Sequence, residues 1–556
     1  MKRFLAVLVV ALLLMPTTGF AVTQEELMQK IQELSQQLQQ LKKQMEDLQN
    51  QQLQQQADVM DAKESAKEVS KKFSWLTIGG DYRFRLDSLK GKVHEHVGYD
   101  RNQTANFNYA MPTATPGVYA VPYSTAVDSY TAKNDTLFLN RFALNVKAQV
   151  TENIQVKSRI LMYKAWGNDY VDQSPFFADR YVIMDGNLGH VPQDNTLRVD
   201  YAYATWSNIF DLPVWFSIGR RPSTGGVPSN IRQNREKVGT AGVPALLVDY
   251  AFDGLTLGVA PEIDKLEGAY AKICYGKGMD TGFRPDNDRM KDVQMIGINV
   301  VPYDTENLHI EFQWQKAFSI FAYPGNSDPF GLGVDNKNIG DIDWWGTVVT
   351  GRIEDIGPGD LNLFASAALS KTHPNDNGYE APFYDVYIDS NANGRADSGD
   401  TLYMQNQTAK YGLLYDDPNF GGEKKSHTGN AIYLGMRYDI KKTGTKIGLE
   451  WNRGSKYWLA FTPAADDLWT SKLATRGDVY EAYIIQELPE TPIAKFGKAF
   501  FRLGYQYYKF KYTGSGFWLG EPRKIDDLNQ TDALATQLLK PVKNAQDIYL
   551  TFDVMF

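Results

Sequence analysis

The last ten residues, Asp547 to Phe556, limit what this chain can fold into more than any other stretch. Ile548, Leu550, Phe552, Val554 and Phe556 are apolar and alternate with Asp547, Tyr549, Thr551, Asp553 and Met555. A period of two is a β-strand with one apolar face. A soluble sandwich or a membrane barrel can end on such a strand, and the other end of the sequence separates the two. Lys2 and Arg3 precede an apolar run, Phe4 to Met15, and Gly19-Phe20-Ala21 offers a cleavage site. This is the layout of an export signal, and the run is too short for a spanning helix. Residues 1–21 are therefore expected to be removed after Ala21.

An exported chain reaches the periplasm, the outer membrane or the medium. An alternating strand ending on phenylalanine resembles the C-terminal insertion signal of bacterial outer-membrane barrels, which implies the outer membrane of a Gram-negative cell. Composition agrees. A mean hydropathy of -0.40 excludes a helical membrane protein. It suits a barrel, in which only alternate strand residues meet lipid. The net charge of -8 does not suggest nucleic acid as a partner. Cys274 is the single cysteine, which rules out an intramolecular disulfide framework and a c-type haem site.

Residues 22–72 form a glutamine-rich region with a heptad. Leu27, Leu34, Leu41 and Leu48 take one seam position, and Ile31, Leu38 and Met45 take the other. This spacing predicts a coiled coil of about three heptads that self-associates. Residues 49–72 read as a polar linker.

From Trp75 onward the period is two, and residues 73–556 are expected to form the barrel. In Asp81-Tyr82-Arg83-Phe84-Arg85-Leu86-Asp87, charges alternate with apolar and aromatic residues, as a water-filled lumen requires. Thr151-Glu152-Asn153 and Thr305-Glu306-Asn307 each sit between two such segments and read as periplasmic turns. The fold class is thus an all-β transmembrane barrel of about 16 antiparallel strands behind an N-terminal α-helical coiled coil. The expected strands include 244–252 and 254–262, and long loops at 89–134, 166–196, 372–428, 454–477 and 512–545 are placed outside the cell. Ala269 to Tyr275 could add a strand, so a count of about 18 stays open.

The segment Ser217 to Asp249, SIGRRPSTGGVPSNIRQNREKVGTAGVPALLVD, and the strand end Met162-Tyr163-Lys164-Ala165-Trp166-Gly167 carry a resemblance. Together with the coiled coil and the barrel pattern, they resemble an uncharacterised porin-like family of outer-membrane proteins from anaerobic and sulfur- or metal-using bacteria. The resemblance implies an outer-membrane barrel and says little about cargo. Porins are commonly trimers, and some sugar porins carry a similar N-terminal helix, so the seam is expected to join three chains.

Two groups of residues could carry function. Arg220, Arg221, Arg232, Arg235 and Lys237 lie in a Gly/Pro/Ser-rich stretch too long for a tight turn. Folded into the lumen, such a loop would form a pore constriction that concentrates anions, because narrow low-dielectric walls focus the field. Glu236 and Asp249 could line the opposite wall. The lumen rows add Arg83, Arg85, Arg141, Lys147, Lys157, Arg159, Arg352, Arg437, Arg453 and Arg502. Interleaved Asp81, Asp87, Glu311, Glu450 and Glu481 leave a mixed eyelet, or simple ion pairing that stiffens the barrel, as open alternatives.

The second group is a twelve-residue calcium loop, Asp389 to Asp400. Asp389, Asn391, Asn393, Asp397 and Asp400 supply side-chain oxygens, Arg395 a backbone carbonyl, and Gly394 the sharp turn. Asp stands at position 12 where Glu is usual, and no flanking helices are evident, so weak Ca2+ binding that orders a surface loop is expected. His94-Glu95-His96 is a poorer metal candidate. No hydrolase or phosphate-loop motif occurs, so the chain reads as a non-enzyme. The expected function is passive diffusion of small hydrophilic solutes, tilted towards anions. The rivals are an envelope tether acting through the coiled coil on the cell wall, and a sheath for a multihaem cytochrome.

Overall fold

The computed structural model describes residues 74–167, 185–187, 189–283, 290–323, 328, 330–462, 466–489 and 497–556, with scattered positions between 28 and 43. Two units separate at residue 75, Met1–Trp75 and Leu76–Phe556. In the first, the described positions 28, 29, 32, 33, 35, 36, 39, 40, 42 and 43 are helical and exposed. The signal segment 1–21 and every seam residue (Leu27, Ile31, Leu34, Leu38, Leu41, Met45 and Leu48) lie outside the described residues.

The second unit is a closed antiparallel barrel of 16 strands. In chain order these are β1 (Leu76–Val93), β2 (Tyr130–Gln149), β3 (Ile154–Ala165), β4 (Arg198–Trp206), β5 (Val214–Ser223), β6 (Tyr250–Val259), β7 (Tyr270–Met279) and β8 (Val293–Asp304). There follow β9 (Leu308–Phe321), β10 (Asn338–Ile356), β11 (Gly359–Pro374), β12 (Thr428–Ile440), β13 (Thr445–Gly454), β14 (Gly477–Glu487), β15 (Lys498–Phe510) and β16 (Val542–Met555). Each pairs with its neighbours in the chain, and β16 returns to β1 in the register Asp81↔Met555 to Gly91↔Ala545. The seam is drawn tight at Gly80, whose N–H bonds the Phe556 carbonyl at 2.8 Å and whose carbonyl accepts from Phe556 at 3.0 Å. A Cβ at position 80 would lie 2.4 Å from the Ala143 carbonyl and 2.7 Å from the Phe556 ring, so glycine is required there.

Among the described residues no helix is long and apolar enough to cross a membrane, and the crossing is made by strands. Outward side chains form an apolar belt, with Ile298, Phe312, Ile447, Ile484 and Leu503 each between 42% and 51% exposed. Their neighbours in sequence point inward. Asp81, Arg83, Arg85 and Asp87 are all at most 5% exposed, as the alternation of β1 requires. Such a barrel buries every strand edge and presents hydrocarbon outward, which places the protein in the outer membrane.

The short connections share the end that holds residues 76 and 556, and two of them have one chemical cause. Thr151 Oγ1 accepts from the Ile154 amide at 3.0 Å, and Thr305 Oγ1 accepts from the Leu308 amide at 2.9 Å. In both Thr-Glu-Asn turns the hydroxyl replaces a backbone partner.

The strand count of 16 conceals two compensating differences from the sequence pattern. Residues 244–252 and 254–262 are not two strands but parts of a loop and of β6. Asp253-Gly254, a turn-favouring dipeptide, is interior to β6, because the backbone of β7 comes too close for a side chain: a Cβ at Gly254 would lie 2.0 Å from the Tyr275 carbonyl. The ambiguous stretch 263–291 supplies β7, which restores the total and removes the 18-strand alternative. Arg453 also departs from expectation. It is opposite Asp478 on the outward face of β13 and not in the lumen row.

At the other end, long loops fold over and into the barrel. A four-stranded sheet joins 111–112, 118–122, 379–388 and 401–411, and a second pair joins 96–99 to 124–127. The interior contains an apolar core built from loops. Leu246, Leu247, Leu413, Trp458, Phe461 and Trp518 pack against Trp344 and Phe321 from the wall. Trp344 Nε1 donates to the Leu459 carbonyl at 2.8 Å. The apolar run 244–248, expected as a strand, is therefore part of a plug.

Candidate pore constriction

The plug has two inward segments. The first, residues 224–249, leaves β5 at the loop end and crosses the lumen. Its two limbs meet where Ala245 N–H donates to the Val227 carbonyl at 2.9 Å. Gly226 permits that approach, since a Cβ there would lie 1.6 Å from the Val243 carbonyl. A short helix, Ser229–Arg232, carries the chain downward. Asn234 then bonds Glu487 at 2.8 Å and accepts from Lys446 at 2.7 Å. Lys237 donates to Asp304 at 2.5 Å and to the Thr305 carbonyl at 2.7 Å. Glu487, Asp304 and Thr305 belong to the turn end, so the loop spans the barrel's length. The second segment lies in the loop 454–477, which the sequence pattern places outside the cell; its described residues 455–462 and 466–476 instead also fold inward.

These segments build a charge network with the wall. Asp466 faces Arg83, Arg85, Arg141 and Arg502, the last three at 4.0, 3.7 and 3.7 Å. Burial would raise the Asp466 carboxyl, but these four guanidinium groups outweigh it and hold it well below the usual carboxylate range. Asp81 gathers Arg159 at 2.7 Å, Arg235 at 2.9 Å and Arg141 at 3.5 Å. Glu481 pairs with Lys472 at 2.5 Å and Arg232 at 3.1 Å, and accepts from Tyr549 at 2.6 Å. Asp466, Asp467 and Lys472 gave no sequence signal, because a loop assigned to the cell exterior attracts no attention as lumen lining.

The five expected constriction residues divide. Arg232 is buried between Asp467 and Glu481, at 2.8 and 3.1 Å. Lys237 is held at the turn end. Arg235 reaches Asp81 and lines an open cavity. Arg221 points inward over the Tyr203 ring at 5.1 Å. Arg220 does not face the lumen. It lies opposite Asp253 on the outward face, pairs with that carboxylate at 2.8 Å and also meets Asp185. The Gly219-Arg220-Arg221 run alternates like any strand, so adjacent arginines must point to opposite sides.

An open space lies off axis, between the descending loop and β2–β5. It is a cavity of about 340 Å³ lined by Arg141, Lys157, Arg159, Arg235 and His190, and by Asp200, Glu236, Asp249 and Asp466. Tyr201 and Tyr203 add two tilted rings 5.8 Å apart. His190 bridges Asp200 at 2.8 Å and Asp249 at 3.6 Å. Burial alone would lower the imidazole, but the two carboxylates outweigh it and raise it to about 10. Lys157 differs from its neighbours. Among the described residues, no carboxylate lies within ion-pair distance of it, and the charges nearby are Lys147 and Arg221.

The Asp389–Asp400 segment is the tip of the 379–388/401–411 hairpin in the outer sheet. Its oxygens turn onto its own amides. Asp389 accepts from Gly394 N–H at 2.8 Å, Asn391 from Asn393 N–H at 3.1 Å and Asn393 from Arg395 N–H at 3.0 Å. Asp397 accepts from Gly399 N–H at 2.8 Å, and Asp400 from Asp397 N–H at 2.9 Å. His94 and His96 bond neighbouring carbonyls, each at 2.7 Å. Among the described residues, no three His, Cys, Asp or Glu side chains converge as a metal cluster.

A 16-strand outward-apolar barrel with an inward loop has the architecture of an outer-membrane porin. The chain belongs to the family described as a protein of unknown function (DUF3373), whose model matches residues 131–556. No curated protein matches. Among solved structures, OprB of Pseudomonas putida is 11% identical, over 89% of this chain and 97% of that one, with a TM-score of 0.40. OmpT of Vibrio cholerae is 11% identical, over 86% and 97%, with a TM-score of 0.35. An anion-selective porin from Comamonas acidovorans is 9% identical, over 86% and 99%, with a TM-score of 0.37.

Proposed function

We propose that this protein is a narrow outer-membrane diffusion pore for small hydrophilic solutes, with a modest preference for anions, and not an enzyme. The observation that carries the reading is the off-axis cavity. Five cationic side chains, Arg141, Lys157, Arg159, Arg235 and the charged His190, face it, and Lys157 has no carboxylate within ion-pair distance among the described residues. Fixed positive charge in a narrow, low-dielectric passage lowers the barrier for anions and raises it for cations. Asp200, Glu236, Asp249 and Asp466 on the same cavity keep that preference modest.

A cytochrome sheath needs a wide bore, and the two loops that fill this lumen argue against it. The leucine heptad supports assembly, with three chains joined through 27–48.

The test is single-channel recording in a planar bilayer under a salt gradient. Discrete steps with a reversal potential of anionic sign support the reading. A silent barrel excludes it and leaves an envelope tether acting through residues 22–72.

A further inference from the structure

A second, smaller cavity of about 50 Å³ lies behind the ascending limb of the first loop, between Ala241 and Val243 and the inward faces of β5 to β9. Two cationic side chains line it, Arg221 and Lys272, which are 8% and 2% exposed. Among the described residues neither has a carboxylate within ion-pair distance. Lys272 Nζ donates to the Thr240 carbonyl at 2.6 Å and the Gly242 carbonyl at 2.5 Å. Arg221 donates to Ser217 Oγ. Glu311, on the neighbouring wall, is engaged by Asn299 at 2.6 Å and His309 at 3.2 Å.

Neutral acceptors satisfy hydrogen bonds but leave charge uncompensated, and two like charges buried together are strongly unfavourable. A third donor makes the same demand. Gln315 lines the cavity and is 4% exposed, and its Nε2 has no partner. A cavity bordered by two cations and an unpartnered amide donor calls for an anion.

We infer that this cavity is a binding site for one small monovalent anion, of the size of chloride. Lys272 and Arg221 supply charge, and Gln315 Nε2 supplies a hydrogen bond. About 10–15 Å³ open to the centre of a water-sized sphere is enough to admit one water, so this space admits a compact ion, and two buried cations with one amide donor suit a monovalent one. The ion would tie the 240–243 segment, through Lys272, to the wall strands. The two cavities share Pro222 and Ala241 in their walls, and the ion's binding does not depend on whether the larger one conducts.

The test uses the full barrel purified in detergent, with two readouts. Crystals grown with bromide in place of chloride should show an anomalous peak within about 3.5 Å of Lys272 Nζ and Gln315 Nε2. At fixed ionic strength, the melting midpoint should be higher in chloride than in gluconate, because a ligand that binds only the folded state raises it. Lys272→Met should abolish that difference, and Gln315→Leu should reduce it if the lysine variant does not fold. No peak in this cavity, or equal wild-type midpoints in the two salts, overturns the inference. The second result with a peak present would mean binding at crystal concentration only.

Discussion

Lys237, on a loop that begins at one end of the barrel, donates to Asp304 at 2.5 Å at the other end. Asn234 makes a parallel tie to Glu487 at 2.8 Å. These bonds latch the descending loop to the turn end. The pore's width is set by this latch more than by the barrel, since a 16-strand wall alone encloses an aqueous channel. Lys237→Met with Asn234→Ala should therefore release the tip and raise single-channel conductance about twofold or more, with added flicker. Wild-type step sizes in the double variant would mean that the loop is held elsewhere or lies outside the conducting path.

Selectivity should follow the direction in which each cation points. Lys157→Glu reverses a cavity cation that, among the described residues, has no carboxylate within ion-pair distance, and it should move the reversal potential towards cations. Arg220→Gln should leave selectivity unchanged, because that side chain lies on the outer face with Asp253. Reversal potentials of the two variants under one salt gradient check both statements. A shift in the Arg220 variant equal to that of the Lys157 variant would contradict the assigned faces.

The wall was largely legible in the sequence, and the plug was not. Alternation in Asp81–Asp87 and in 547–556 identifies lumen and lipid faces without further information, because period two leaves no choice of side. Thr151 and Thr305 mark their turns by a local hydroxyl–amide bond. Pattern fails where residues are buried for another reason. Pro244 to Val248 is apolar because it lies inside a plug, and this is indistinguishable by composition from a buried strand. Asp466 and Asp467 meet Arg83 and Arg232, hundreds of residues away, and Lys472 meets Glu450 and Glu481 across a loop of irregular path, so no spacing rule reveals them. The arginine-rich loop was found, but the sequence could not say that Arg232 and Lys237 are held by carboxylates or that Arg220 faces outward.

His190 gives a pH dependence whose sign can be worked out. Its imidazole is raised to about 10 by Asp200 and Asp249 against the opposing effect of burial. A raised folded-state value means that the stabilisation is complete below the unfolded value of about 6.5 and is lost as pH rises through about 10. Wild-type melting midpoints should therefore fall more steeply between neutral pH and pH about 10 than those of His190→Gln, since both proteins share every other titrating group. Parallel curves would show that the charged imidazole adds nothing to folding.

The deepest ion pairs predict the largest single effect on stability. Arg232 sits between Asp467 and Glu481, and each carboxylate has a further partner, Gln506 at 2.8 Å and Lys472 at 2.5 Å. Arg232→Ala removes a cation from a group that is excluded from water, leaves part of the acid charge uncompensated and opens a cavity. Breaking such a buried pair costs about 3–5 kcal/mol. Removing the whole constellation is a different perturbation. Arg232→Met combined with Asp467→Asn and Glu481→Gln leaves no unpaired acid at this point and fills the space with a side chain of similar length, so it should recover much of the loss. Urea titrations of the folded barrel in detergent give the comparison. A triple variant no more stable than Arg232→Ala would mean that Arg232 acts through its shape and its packing under the loop, and not through its charge.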